Sequence, residues 1–233
     1  MIKDIRVIFL LFIVYSFIGW SLEVICKLIT KHKFINRGFL IGPYCPIYGV
    51  GCILIITFLS KYKNDFITLF FMSIVICSIL EYLTSYFMEK IFGARWWDYS
   101  NKKFNLNGRI CLETMIPFGI LGSIMVYILN PFIESYILKI PNDIMTPLFV
   151  IILSIFIIDI IISISIITSF KNTIKTIQKD ATEEITKKVK EIILKRSIFH
   201  RRLINAFPDI QNKKERLQSL ENKIKQKINN IKY

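Results

Sequence analysis

Carboxylates and arginines lie unusually close to the apolar segments of this sequence. Glu23, Glu81 and Asp159 fall inside runs of apolar residues, while Arg95 and Arg109 follow one such run. An ionised carboxylate among apolar groups costs several kcal/mol unless it is paired or hydrated. Arginine is the best partner, because its planar group can hold a carboxylate through two hydrogen bonds. The sequence therefore predicts one polar cluster, which binds a substrate or serves the structure. Its members are Glu23, Arg37, Glu81, Arg95, Asp98, Asn107, Arg109, Glu113 and Asp159.

Specific pairs within this cluster can be predicted from the positions of the charges. We expect the segment from Arg95 to Glu113 to fold back as a lid, with Arg95 or Arg109 bound to Glu81 or Glu113. Asn107 and Gly108 indicate a tight turn in this segment. The ion pairs either fix the loop to the helices or also offer donors to an anionic substrate, and the sequence leaves both interpretations open.

Other kinds of chemistry find little support in the residue types. The sequence has two histidines and five cysteines, and the cysteines form no C-x-x-C pair. This pattern predicts no metal site, no cofactor and no catalytic triad. An enzyme that acts on lipid head groups stays open as an alternative, with the acids and arginines as its site. A scaffold or signalling protein that presents its C-terminal tail to a partner is a further alternative.

The elements that must position these residues are membrane-spanning helices. Hydrophobic residues make up 53% of the 233 residues, a composition typical of integral membrane proteins and rare among soluble domains. About 20 apolar residues in a helix cross a hydrocarbon core, and five segments meet this length. The predicted fold is an all-α polytopic membrane protein with a helical tail. The spans are expected near Ile5 to Cys26, Phe39 to Leu59, Phe66 to Met88, Ile110 to Leu129 and Ile144 to Phe170.

The distribution of charge predicts the orientation and a division into two parts. Lysines and arginines concentrate after the first and third spans, and such loops face the cytoplasm. We therefore expect a multi-pass protein of the cell membrane with its N-terminus outside and its C-terminus in the cytoplasm. Residues 1–170 would form the transmembrane domain and residues 171–233 a basic tail of two amphipathic helices, one with a coiled-coil seam that could join two copies. Nucleic acid is an unlikely partner, because the tail has no recognised nucleic-acid-binding motif.

Two loop segments resemble each other. KFINRGFLIGPYCPIYG and KFNLNGRICLETMIPFG both begin with Lys-Phe and end with proline before an aromatic residue and glycine, and each follows a span that carries Leu-Glu. The resemblance predicts two parallel two-helix repeats plus one helix. Pro43, Pro46 and Pro117 should break the helices, and the broken backbone should face the protein interior.

The same motifs resemble a known family. NRGFLIGPYCPIYGVG, EYLTSYFMEKIFGARWWDYS and FNLNGRICLE are similar to segments of the bacterial ABC transporter permeases of type IV, or CmpB-like, group. The resemblance runs from Ile8 to Leu138 and includes RRLINAFPDI in the tail. It implies a membrane transporter. The sequence contains no G-x-x-x-x-G-K-[ST] phosphate loop, so an ATPase would be a separate subunit.

Overall fold

The computed structural model describes residues 4–32, 34, 36, 38–180 and 211–212. The described part is built from α-helices, with four short strands of two residues each. The predicted tail helices beyond Asp180 lie outside the described residues. The elements in chain order are α1 (Ile5–Lys31), α2 (Pro46–Leu59), α3 (Phe66–Phe92), β1 (Ala94–Arg95), β2 (Asn105–Leu106), β3 (Ile110–Cys111), α4 (Leu112–Ile124), α5 (Asn130–Ile137), α6 (Asn142–Asp180) and β4 (Gln211–Asn212).

Four helical segments of the described chain are long and apolar enough to cross a membrane. α4 and α5 form one of them, because a π-helical turn at Met125–Leu129 joins them without a break. The all-helical prediction holds for these segments, and the chain is a multi-pass membrane protein. The spans are Ile5–Thr30, Phe66–Phe92, Leu112–Ile137 and Asn142–Thr168.

The second predicted span is shorter than expected. Helix α2 has 14 residues, which at 1.5 Å per residue extend about 21 Å, less than the roughly 30 Å of a hydrocarbon core. It begins only at Pro46, as the prolines of this segment predict, and the chain before it is not helical. Pro117 does not break its helix and lies inside α4. The prediction of a break there is wrong.

The N-terminal ends of α1 and α6 lie together. The guanidinium of Arg6 donates hydrogen bonds to Thr146 Oγ1 at 2.7 Å and to Asn142 Oδ1 at 3.2 Å. Because α1 and α6 each contain a segment long enough to cross a membrane, both helices run from there towards the opposite end of the bundle. We call that opposite end the loop end, since both loop motifs lie there.

Glycines allow the closest helix contacts, and they do so at corresponding places in the two similar segments. A methyl group on Gly49 would lie 2.6 Å from the ring and the carbonyl oxygen of Phe12. A methyl group on Gly119 would lie 2.6 Å from the ring of Phe70. When Leu22-Glu23 is aligned with Leu80-Glu81, Phe12 corresponds to Phe70. α1 thus packs against α2 much as α3 packs against α4.

Substituting two glycines of α2 tests this packing. Gly49→Ala should destabilise the protein by about 1–3 kcal/mol, the usual cost of overpacking. The matched control is Gly51→Ala, where the added methyl group meets only Leu80 Cδ2 at 3.4 Å and helix propensity favours alanine by about 1 kcal/mol. Thermal unfolding in detergent should show a lower melting temperature for the first variant only. Equal melting temperatures would contradict the close contact.

Candidate functional site

One carboxylate ties the loop between α3 and α4 to the end of α3. Glu89 Oε2 accepts hydrogen bonds from Arg95 Nε at 3.2 Å and Nη2 at 3.1 Å, and it lies 2.9 Å from Arg109 Nη2. The exposed fractions of the three side chains are only 14%, 5% and 11%. Such charge-assisted bonds are strong when shielded from water. We call Glu89, Arg95 and Arg109 the arginine latch.

The sequence-based pairing of these arginines with Glu81 or Glu113 is wrong, and Glu89 was not among the predicted residues. α3 continues to Phe92, so Glu81 lies about two helical turns deeper than Glu89, and the two arginines pair with Glu89 instead. The spacing of four between Glu81, Ser85 and Glu89 was the available signal, because it places all three on one helix face.

A tight turn completes the environment of Arg95. Its Nη1 donates to the carbonyl oxygen of Asn107 at 2.9 Å and lies 3.4 Å from Asp98 Oδ1. Asn107 and Gly108 have φ angles of 53° and 66°, the left-handed region that asparagine and glycine tolerate best. A methyl group on Gly108 would lie 2.9 Å from Arg95 Nη1. The predicted Asn-Gly turn is therefore present, and glycine is required there.

Arg109 is held from three sides. Besides Glu89, its Nη1 donates to Ser85 Oγ at 3.3 Å. Its guanidinium carbon lies 5.5 Å and 5.4 Å from the ring centroids of Tyr82 and Tyr86, within the range of a cation–π interaction. Nε of Arg109 is buried and has no hydrogen-bond partner in the described part of the chain. Both terminal nitrogens of this arginine thus have partners on α3.

Glu81 lies deeper in the bundle and is bound by hydroxyl groups. Its two carboxylate oxygens face Tyr99 Oη at 3.2 Å and Thr114 Oγ1 at 3.4 Å. The residue is only 8% exposed, and no described lysine or arginine forms an ion pair with it. Glu81 therefore retains capacity to accept further hydrogen bonds from a bound group.

The corresponding acid of the first similar segment, Glu23, has an equivalent partner. Tyr48 donates its hydroxyl to Glu23 Oε1 at 2.8 Å. Burial and the carboxylates of Glu81 and Glu23 raise the pKa of Tyr99, so this tyrosine stays a hydrogen-bond donor at neutral pH. Glu23 and Glu81 thus each accept a hydrogen bond from a tyrosine hydroxyl.

Asp159 binds the backbone of the first loop segment. Its carboxylate accepts the backbone N–H groups of Ile41 at 3.1 Å and Gly42 at 2.8 Å, and the hydroxyls of Tyr44 and Ser163. It lies about 25 Å along α6 from Asn142, at 1.5 Å per residue. Unpaired backbone groups are costly at membrane depth. Asp159 therefore satisfies the non-helical backbone that precedes α2.

The remaining predicted residues lie at the surface or outside the described chain. Glu113 forms an ion pair with Lys102 at 2.7 Å, and the two side chains are 62% and 51% exposed. Their hydrogen bond raises the pKa of Lys102. Glu113 is thus not a member of a buried layer. Arg37 lies outside the described residues.

Comparison with known proteins identifies one family. The model of the family described as "Putative ABC-transporter type IV" matches residues 10–164, and these include both loop motifs, the arginine latch and Asp159. No curated protein and no solved structure matches the chain.

The arginine latch can be tested by removing its carboxylate charge. Glu89→Gln leaves two buried guanidinium groups with a neutral partner and should cost about 3–5 kcal/mol, as for other broken buried ion pairs. Glu113→Gln is the matched control, because an exposed pair contributes about 0–1 kcal/mol. Chemical unfolding in detergent measures both. Equal free energies of unfolding for the two variants would show that the latch contributes no more to stability than an exposed ion pair.

Proposed function

The chain belongs to the type IV ABC-transporter family, and on that basis we propose that it is the membrane subunit of an ATP-driven transporter. The observation that carries this proposal is the extent of the family match, residues 10–164, because it covers the described loops as well as the spans. The sequence lacks a phosphate-binding loop of the G-x-x-x-x-G-K-[ST] type. The ATPase is then a separate subunit.

We propose that the polar cluster at the loop end contains the substrate-facing groups. Glu81 supports this role best, since it is buried and its partners are hydroxyls, not cations. Glu23 adds a second carboxylate, which binds the hydroxyl of Tyr48. The arginine latch has a different role, because Arg95 donates to Glu89 and the loop and Arg109 contacts Glu89 and Ser85 of α3. The arginine latch holds the loop over this region and limits the access of water to the polar cluster.

The helices are proposed to form two parallel repeats, α1 with α2 and α3 with α4, related by an axis along the membrane normal. The matching contacts of Gly49 with Phe12 and of Gly119 with Phe70 support this arrangement. α6 is then the added helix that leads into the tail. Transporters built from repeats place their substrates at the repeat interface, and Glu23 and Glu81 occupy corresponding positions there.

In the proposed orientation in the cell membrane, the N-terminus is outside, and the loop end and the tail are cytoplasmic. The link at the N-terminal end between α2 and α3 has few charges, whereas the loop end is rich in lysine and arginine, as expected for a cytoplasmic face. The contact of Arg6 with the start of α6 supports termini on opposite sides. The basic tail would lie in the cytoplasm, where it could join two copies.

Cysteine labelling tests the orientation. Lys63→Cys and Lys102→Cys, each in a cysteine-free background, place single thiols at exposed positions on opposite ends of the bundle. In intact cells a membrane-impermeant maleimide should label position 63 only, because position 102 faces the cytoplasm. Both positions should react after permeabilisation, which is the control for accessibility. Labelling at position 102 and not at position 63 in intact cells would show that the orientation is the opposite of the proposed one.

Purification from native membranes tests the transporter assignment. The tagged chain should bring down an ATPase subunit in stoichiometric amount, and another polytopic protein with the same tag should not. The mass of the purified complex also shows whether two copies are present. Repeated purification of the folded chain without an ATPase would contradict the proposed function.

A further inference from the structure

An aromatic side chain stands out from the loop between α3 and α4. Phe104 is 82% exposed, the highest value among the large apolar side chains in the described residues. It follows Lys102 and Lys103, which are exposed as well. We call Lys102, Lys103 and Phe104 the loop tip. Burying a phenylalanine side chain is worth about 1.5–3 kcal/mol, so a ring this exposed can contribute to binding an apolar surface.

The loop holds this ring outward by defined structure. Phe104 has a φ of 51°, a left-handed conformation that is rare and strained for a bulky residue. Asn105 fixes it on both sides, because its Nδ2 donates to the Lys102 carbonyl oxygen at 2.7 Å and its Oδ1 accepts from Gly108 N at 2.9 Å. The exposed position of the ring is thus built into the turn.

An exposed phenylalanine also occurs in the first of the two similar segments, KFINRGFLIGPYCPIYG. There the dipeptide Lys33-Phe34 matches Lys103-Phe104, and Phe34 is 68% exposed. Its ring makes an edge contact with Trp20 at 6.4 Å between centroids. Both segments therefore present an exposed phenylalanine after a lysine at the loop end of the bundle.

We propose that these two phenylalanines are anchors that insert into the anionic head-group layer of the bilayer that the protein itself spans. The position of the loop tip supports a lipid surface as its binding partner. β2 follows Phe104 directly and pairs with β3, which leads into the first residue of the α4 span. Leu106 and Leu112 are 55% and 45% exposed, so apolar surface continues from the span towards the tip.

The charge at the tip also suits anionic lipid. Between Ala94 and Cys111 the chain has four basic residues and one acid. Glu89 and Asp98 together balance the two arginines and Lys102 binds Glu113, whereas Lys103 forms no ion pair within the described chain. A lysine beside a membrane-inserted phenylalanine can lie among lipid phosphates. The latch fixes the loop on α3, and so sets the height of the tip above the span.

Fluorescence in nanodiscs tests the anchor. The probe is Phe104→Trp, and the parent protein with its three native tryptophans supplies the background to subtract. In discs of phosphatidylcholine and phosphatidylglycerol, lipids with brominated chains should quench most of the added emission, while aqueous iodide should quench little. Asn101→Trp, at an exposed polar position of the same loop, is the matched control and should show the opposite preference.

A second variant tests the contribution of Lys103. Lys103→Gln in the Phe104→Trp protein should remove the difference between anionic discs and discs of phosphatidylcholine alone. Phe34→Trp repeats the measurement in the first segment and should also be quenched by brominated lipid. Strong iodide quenching with no bromolipid quenching at position 104 would overturn the proposal, and would leave the tip as a surface for a protein partner such as an ATPase.

Discussion

The carboxylate of Glu89 is the shared acceptor on which the loop end of the bundle depends. Arg95 starts the loop and Arg109 ends it, and both reach the same Oε2 atom. Two buried guanidinium groups so close together would repel each other without this anion. Because both ends of the loop are fixed to α3, Tyr99 comes to lie on Glu81 and the loop tip points away from the bundle.

The two similar segments meet one physical demand in different ways. Irregular backbone near the membrane interior needs partners for its N–H and C=O groups. In the first segment Asp159 of α6 accepts the N–H groups of Ile41 and Gly42. In the second, Arg95 donates to the carbonyl oxygen of Asn107. Similar sequences thus position Glu23 and Glu81 alike, while a carboxylate supports one loop and an arginine supports the other.

Four of the five predicted spans, the Asn-Gly turn and the burial of Glu81 could be predicted from the sequence, because hydropathy and turn residues act over short distances. The pairing of charges could not. It depends on how far α3 continues, and Glu89 rather than Glu81 lies level with the loop for that reason. The role of Asp159 depends on the packing of α6 beside the first loop, which no local pattern encodes. Pro117 also predicts a break that α4 does not have.

A double-mutant cycle between Glu89 and Arg95 tests most directly whether one shared carboxylate organises this end of the protein. Stabilities of the parent, Glu89→Gln, Arg95→Gln and the double variant would be measured by chemical unfolding in the same detergent. Residues joined in one buried network couple by about 0.5–3 kcal/mol, and the two hydrogen bonds from Arg95 to Glu89 predict a value in the upper half of that range. If the free-energy costs of the two single variants simply add in the double variant, the proposed role of the shared carboxylate is contradicted.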